Sequence, residues 1–335
     1  MFDYCFISYI SRSGSTLLAH LLSDRFQVCV TPEGSFPAEM LGVNGFAPVE
    51  LKTAASAASY LDALTSVSKL ASWNIEPTIT NSLPVDGVTI FQGLLRQYRD
   101  TFFPSDQMIC YKGDPVMPWE ITKALSYHRS AGAIVILRDP RAILHSQLNA
   151  AYAYRGGKFS HAVAQNAREW AQMVSAIEAL ADDPRVHVVR YEELVTDTDA
   201  ALAKLAAFLE VRCRDKAQER GFADTIADEE RHLHVRATEA PDASRLDAWR
   251  TTLDPRKQAL LEQLIGEQMR RHGYQPDAPI SISRLSVWGS VALDYFAKLT
   301  QAARRHGKTS VTNPHYFLQK VTARLKPRQS GDADG

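Results

Sequence analysis

Between the apolar run Tyr4 to Ile10 and the helical start Leu17-Leu18-Ala19 lies a short polar stretch, Ser11-Arg12-Ser13-Gly14-Ser15-Thr16. A strand, a small polar loop and a helix in succession make a cradle for a phosphate-like anion. Gly14 lets the backbone come close, the helix N-terminus adds partial positive charge, and Ser15 and Thr16 can cap that helix while donating hydroxyls. The pattern G-x-x-x-x-G-K-[ST] of a Walker loop is missing, since Tyr9 stands at its first glycine and Ser15 at its lysine. The only cation in the loop is Arg12, displaced toward the strand, which suits a magnesium-bound γ-phosphate poorly. Taken alone, the loop reads equally as a Ser-rich turn with a capping serine.

A second segment supplies matching chemistry. The strand Ala133 to Leu137 runs into Arg138-Asp139-Pro140-Arg141-Ala142-Ile143-Leu144-His145-Ser146. This puts a guanidinium at a strand end and a hydroxyl about two helical turns on. Arg138 offers a planar fork and Ser146 a donor, and the two can share one phosphate. Read alone, Arg138-Asp139 is a surface ion pair and Pro140 the first residue of a helix.

Proton chemistry has several candidates. Glu33, in Val30-Thr31-Pro32-Glu33-Gly34, follows the second strand at the carboxyl edge of the sheet, where ligands of open α/β folds collect. A surface turn glutamate is the alternative. Lys112 ends the strand Cys110-Tyr111, a place where a lysine is often only a solvated terminus. His145 and His128 are rival bases, although His145 points about 100° away from Ser146 around its helix. No metal-ligand cluster appears in the sequence, and no metal requirement is expected.

The elements that must position these residues follow from periodicity. Short apolar runs at Tyr4 to Ile10, Phe26 to Thr31, Met108 to Tyr111, Ala133 to Leu137 and Val186 to Val189 read as buried strands. Helical patterns lie between and after them, at Thr16 to Asp24, Phe91 to Phe102, Trp119 to Arg129, Arg141 to Tyr154, Ala162 to Ala181, Ala200 to Leu209 and Pro255 to His272. Such alternation predicts an α/β fold, a three-layer sandwich like that of the P-loop NTPases with a central parallel sheet flanked by helices. The expected organisation is one domain over residues 1–280, with 35–105 as an acceptor-side insertion containing a helix near Ser56 to Leu64. Residues 281–335 form a helical and basic extension with a disordered end.

Composition narrows the class further. Lys+Arg and Asp+Glu both number 38, so no overall field favours nucleic acid, and an anion site has to be built locally. The basic stretch Arg304-Arg305-His306-Gly307-Lys308 is expected to be a solvated face rather than a membrane contact. Cys5, Cys29, Cys110 and Cys213 are far apart and read as reduced thiols. The strand beginning almost at the first residue leaves no room for a signal peptide, and Val287 to Leu299 is too short and too charged to span a membrane. A cytoplasmic location is the expectation.

The loop and the Arg138 segment together resemble the superfamily of sulfotransferases that use 3'-phosphoadenosine 5'-phosphosulfate (PAPS). In that superfamily [KR]-S-G-[ST]-T holds the 5'-phosphosulfate and R-D-P-R…S holds the 3'-phosphate. Val189-Arg190-Tyr191-Glu192-Glu193-Leu194-Val195 is similar to the family's strand ending in Y-E-x-L, and Ser244 to Arg250, with Trp249, resembles a late segment that closes over PAPS. The pattern is most similar to the bacterial, carbohydrate and tyrosylprotein branches, and coverage runs from about Phe6 to Tyr274.

The resemblance implies transfer of a sulfuryl group from PAPS to an acceptor hydroxyl, with PAP as product, on a carbohydrate, glycolipid or other metabolite. It implies that Arg12, Ser13, Gly14, Ser15, Thr16 and Leu17 hold the phosphosulfate, that Arg138 and Ser146 hold the 3'-phosphate, and that Tyr191 flanks the nucleotide. It also implies Glu33 as general base and Lys112, from a K-D-P-like segment in which Gly113 is inserted, as a contact to the transferring group beside Arg12. Where the tyrosylprotein branch has a further arginine this chain has Ala150, and before the late tryptophan it has Ala248, for which Arg245 or Arg250 is the candidate replacement. The Ala- and Arg-rich composition with this donor points to a bacterial enzyme. The competing readings are a P-loop small-molecule kinase, disfavoured by the missing lysine, and a non-catalytic nucleotide-binding protein.

Overall fold

The structure is a computed structural model, and it describes residues 2–67, 69–79, 83–114, 116–149, 151–152, 157–158, 163–214, 222, 241–283, 285–289 and 291–292. In chain order the first part comprises β1 (Tyr4–Ser8), α1 (Ser15–Arg25), β2 (Val28–Val30), β3 (Gly34–Ser35), α2 (Ala38–Leu41), β4 (Glu50–Leu51), α3 (Ala54–Val67), β5 (Val85–Asp86) and α4 (Gly87–Phe102). There follow β6 (Met108–Asp114), α5 (Ile121–Tyr127), β7 (Ala131–Leu137), α6 (Pro140–Asn149), the antiparallel pair β8 (Ala151–Tyr152) and β9 (Gly157–Lys158), and α7 (Val163–Ala179). The last part holds β10 (Val186–Arg190), α8 (Tyr191–Thr196), α9 (Thr198–Leu209), α10 (Ala248–Thr252) and α11 (Pro255–Arg271).

The central sheet is parallel, in the order β10-β7-β1-β6-β2, with β3 pairing beside the end of β6. All five residues of β1 and all seven of β7 are buried, as strands covered on both faces must be. Alternation then sorts the faces. Cys5 and Ile7 join the cluster of Leu18, Leu22, Leu202 and Leu205 from α1 and α9. Tyr4 and Phe6 meet Phe91 of α4, whose ring also lies 5.0 Å from that of Tyr111 on β6. The segment 35–105 therefore contributes core packing through α4.

Several expected boundaries move for local reasons. The helix expected over Arg141 to Tyr154 stops at Asn149, because Ala151 and Tyr152 pair with Lys158 and Gly157. α4 starts four residues earlier than expected, at Gly87, where the Asp86 carboxylate accepts from Thr89 N–H at 2.7 Å. β6 runs past Tyr111 to Asp114 because Gly113 and Asp114 pair with Gly34 and Ser35.

Contacts divide the chain into two units, Met1–Pro279 and Ile280–Gly335. The basic stretch from Arg304 to Lys308, the end of the chain from Gln329, Pro115 and most of residues 215–240 lie outside the described residues. Among the described residues no helix is long and apolar enough to cross a membrane. Cys5, Cys29 and Cys110 are buried and Cys213 is exposed, all with free thiols.

Candidate active site

The loop between β1 and α1 takes its shape from two residues in the left-handed region, Arg12 at φ 75° and Gly14 at φ 100°. Gly14 is the N-cap of α1 and no side chain caps that end, so Ser15 and Thr16 occupy the first turn instead of the capping role expected of them. Leu18 N–H donates to Gly14 O at 3.1 Å. The N–H groups ahead of it have no carbonyl inside the helix to bond, and they carry the positive end of its dipole.

Arg138 and Ser146 both meet this loop through Arg12. Arg138 Nη1 donates to Arg12 O at 2.9 Å, and Arg12 Nε donates to Ser146 Oγ at 3.1 Å. The Arg138 guanidinium stacks on Tyr191, its Cζ 4.0 Å from the ring centroid. Burial, and then the neighbouring charge of Arg138, hold the Arg12 pKa below its ordinary value. Other buried arginines are neutralised: Arg141 by Asp139, Glu262 and Asp277, and Arg214 by Asp106. Neither Arg12 nor Arg138 meets a carboxylate among the described residues.

Two further donors are left over. Ser13 Oγ and Arg138 Nε are buried without a hydrogen-bond partner among the described residues, and Ser13 is 0% exposed. Buried donors ordinarily find acceptors. Here the unmet donors and unneutralised charges surround one helix start, an arrangement that an anion with several oxygens completes.

The surrounding framework is more elaborate than the motifs suggested. Gln147 Nε2 donates to Ser11 O at 3.0 Å, and Trp170 Nε1 donates to Arg138 O at 2.9 Å. Glu192 accepts from Asp139 N–H at 2.9 Å and from the Tyr274 hydroxyl at 3.0 Å, tying the turn after β7 to the start of α8. Sequence reasoning missed the supporting roles of Gln147, Trp170 and Glu192. Only Glu192 left a signal, as the partner of Tyr191 in the Tyr-Glu pair.

A second cluster forms at the same sheet edge. Ile7 of β1 lies opposite Lys112 of β6, and Gly113 opposite Gly34, so register brings Lys112 and Glu33 together beside the loop. The inserted Gly113 extends β6 and leaves Lys112 on the strand. A Cβ at Gly113 would stand 2.2 Å from Gly34 O, so this approach needs a glycine. Lys112, with its side chain 4% exposed, donates to Glu33 Oε1 at 3.0 Å. The Tyr9 hydroxyl, unanticipated from sequence, donates to the same oxygen at 2.7 Å. Lys112 Nζ lies 5.2 Å from the centroid of the Tyr9 ring. Burial, and then the charge of Glu33, push the Tyr9 pKa well above normal, which keeps its proton in place for donation.

The rival histidines have partners of their own. His128 is fully buried between the Tyr4 hydroxyl and Leu41 O, and burial lowers its pKa to about 4. Tyr4 begins β1, at the end opposite the loop. His145 shares a 2.7 Å hydrogen bond with the Thr252 hydroxyl, and burial followed by the Arg138 charge lowers its pKa. Trp249 is enclosed by two guanidiniums, with Arg141 and Arg250 at 4.1 and 4.5 Å from its ring. Arg250, the candidate for the missing basic contact, is paired with Asp247 and Asp277. The Arg245 side chain lies outside the described residues. Among the described residues no group of three or more His, Cys, Asp or Glu side chains could hold a metal ion.

The sequence model of the sulfotransferase family matches residues 5–215, a span holding every residue of both clusters. The chain belongs to the sulfotransferase family. No curated protein matches the sequence. Among solved structures, the sulfotransferase domain from the curacin biosynthetic pathway is 18% identical with a TM-score of 0.52, over 83% of this chain and 99% of that one. The sulfotransferase domain of a Synechococcus olefin synthase is 19% identical with a TM-score of 0.45, over 81% of this chain and 94% of that one. A mouse sulfotransferase complexed with PAP is 14% identical with a TM-score of 0.43, over 80% and 85%. The mostly parallel sheet flanked by helices is thus the sulfotransferase fold. The structure gathers the candidate residues of this sulfotransferase into two adjoining groups: Arg12 to Leu17 with Arg138, Ser146 and Tyr191, and Glu33 with Lys112.

Proposed function

We propose that this sulfotransferase moves a sulfuryl group from PAPS to an acceptor hydroxyl on a carbohydrate, glycolipid or other metabolite. The reading rests above all on the two unneutralised guanidiniums, Arg12 and Arg138, converging with Ser146 on a helix start that carries the orphan Ser13 hydroxyl. A nucleotide with phosphate at one end and phosphosulfate at the other fits that donor set. Ser13, Gly14, Ser15, Thr16 and Leu17, with Arg12, would hold the phosphosulfate. Arg138 and Ser146 would hold the 3'-phosphate, and Tyr191 would flank the nucleotide.

Bound there, the donor supplies an electrophilic sulfur and a stable phosphate leaving group. Glu33, whose side chain is 34% exposed, takes the acceptor's proton as the new oxygen–sulfur bond forms. The bond from sulfur to the bridging phosphate oxygen breaks, and its electron pair leaves with PAP. Lys112 and Arg12 stabilise the charge that gathers on the transferring group and the departing phosphate. These cations and the α1 N-terminus suffice for the charge, so no metal is required. Buried free thiols suit a reducing, cytoplasmic setting.

Retention on immobilised PAP, followed by radiolabelled PAPS with a panel of sugars, glycolipids and small alcohols, tests the reading. Binding of PAP, label in an acceptor and unchanged turnover in EDTA are expected, with Glu33→Gln reducing turnover by at least about 100-fold. Phosphate transfer from magnesium ATP without PAP binding would assign the chain to the kinases instead. PAP binding with no transfer to any acceptor would favour a non-catalytic nucleotide-binding protein.

A further inference from the structure

We infer that Tyr9 is a positioning residue for the base: its hydroxyl holds the Glu33 carboxylate by Oε1. This rests on the reading of Glu33 as base and adds a residue that belongs to none of the motifs. The Tyr9 hydroxyl and the Lys112 ammonium both donate to Oε1, at 2.7 and 3.0 Å. A carboxylate oxygen has two lone-pair sites, and both are then engaged.

The two donors are not equivalent. A lysine ammonium is a point charge on a flexible stem, whereas a phenol at the end of a packed ring approaches from one fixed direction. Lys112 is also the cation expected to turn toward the transferring group. When it does, Tyr9 is the remaining one of these two holds on Glu33. The raised pKa of Tyr9, from burial and from Glu33, keeps it a donor throughout the working pH range. Donation to the charged form of a carboxyl favours that form, so loss of the Tyr9 hydroxyl should make the Glu33 carboxyl easier to protonate.

The test uses the full chain with Tyr9→Phe, which keeps the ring beside Lys112, and a ring-fluorinated tyrosine at position 9, whose hydroxyl is a stronger donor. The Glu33 carboxyl is titrated by carbon NMR on labelled protein, and turnover is followed with PAPS and whichever acceptor takes most label from the panel. Tyr9→Phe should raise the Glu33 pKa by about one unit and cut kcat about tenfold, with the KM for PAPS and the Kd for PAP within about twofold of wild type. The fluorinated residue should move the Glu33 pKa the other way, and it carries the test if Tyr9→Phe does not fold. An unchanged Glu33 pKa and kcat in either variant, or a loss confined to the KM for PAPS, overturns the inference. If Glu33→Gln is inactive while Tyr9→Phe matches wild type, Tyr9 alone loses its role. If Glu33→Gln turns over normally, the base assignment and the Tyr9 role fall together.

Discussion

The ring of Tyr191 fills the space that a side chain on Gly14 would need: a Cβ there would lie 2.3 Å from Tyr191 Cδ2. The same ring carries the Arg138 guanidinium, 4.0 Å from its centroid. Loop, aromatic ring and arginine therefore lie stacked one on another. This gives the Tyr-Glu sequence after β10 a physical task beside the proposed anion site, with Tyr191 as platform for Arg138 and Glu192 as tether to Asp139 N–H.

Gly14→Ala should disrupt this stack. The left-handed φ of 100° alone costs a β-carbon-bearing residue about 1–2 kcal/mol, and relieving the clash pushes Tyr191 from beneath Arg138. Calorimetry should find the Kd for PAP raised at least about tenfold. A Kd within about twofold of wild type would contradict the stacking argument.

Gly113→Ala should separate binding from turnover. Its new Cβ would meet the backbone of Gly34, an atom no rotamer change can move, so β3 must part from β6 and carry Glu33 away from Lys112. Misplacing a reacting group by about 1 Å can cost about 100-fold in rate. Turnover should therefore fall about 10- to 100-fold while PAP affinity holds, which kinetics and calorimetry on the same sample will check.

Arg138 and Arg141 differ by three positions and should respond oppositely to removal. Arg141 is 2% exposed and paired with Asp139, Glu262 and Asp277. Arg141→Ala strands buried carboxylates and should cost about 3–5 kcal/mol of stability, seen as a large drop in denaturant midpoint. Arg138→Ala removes a charge with no carboxylate partner among the described residues and should weaken PAP binding with little change in that midpoint.

His128 predicts an acid-sensitive fold. Burial lowers its pKa from the ordinary 6.5 to about 4 in the folded chain. Between those values the unfolded chain binds the proton more readily, so stability falls as pH drops through the window, by at most about 3 kcal/mol. Urea midpoints taken near neutral pH and near pH 4.5 should part in wild type and come closer in His128→Gln.

Much of the scaffold was legible in the sequence. The strands around Tyr4, Val28, Met108, Ala133 and Val186 and the helices after them announce themselves by apolar spacing, a property of neighbouring residues. The strand, loop and helix start proposed to hold the anion were legible as local structure for the same reason, since Gly14, the hydroxyls around it and the start of α1 are contiguous. Two boundaries moved where strand pairing, near in sequence in one case and distant in the other, decided the outcome. Ala151 left the helical pattern to pair with Lys158, and β6 continued through Gly113 because Gly34 lay beside it.

By itself, then, the sequence determined the parallel α/β scaffold, the loop and its arginine, and the strand end that carries Arg138. Tertiary structure alone decided that Tyr9 and Lys112 share one oxygen of Glu33, because that meeting depends on the register of β1 and β3 against β6 across 79 residues of chain. It also decided which arginines are ion-paired and which are left for the proposed anion site. Arg141 is consumed by carboxylates 121 and 136 residues away, whereas Arg12 and Arg138 meet none among the described residues. Guanidinium groups are chemically alike, and only the packing around each one separates a structural ion pair from a site for a ligand.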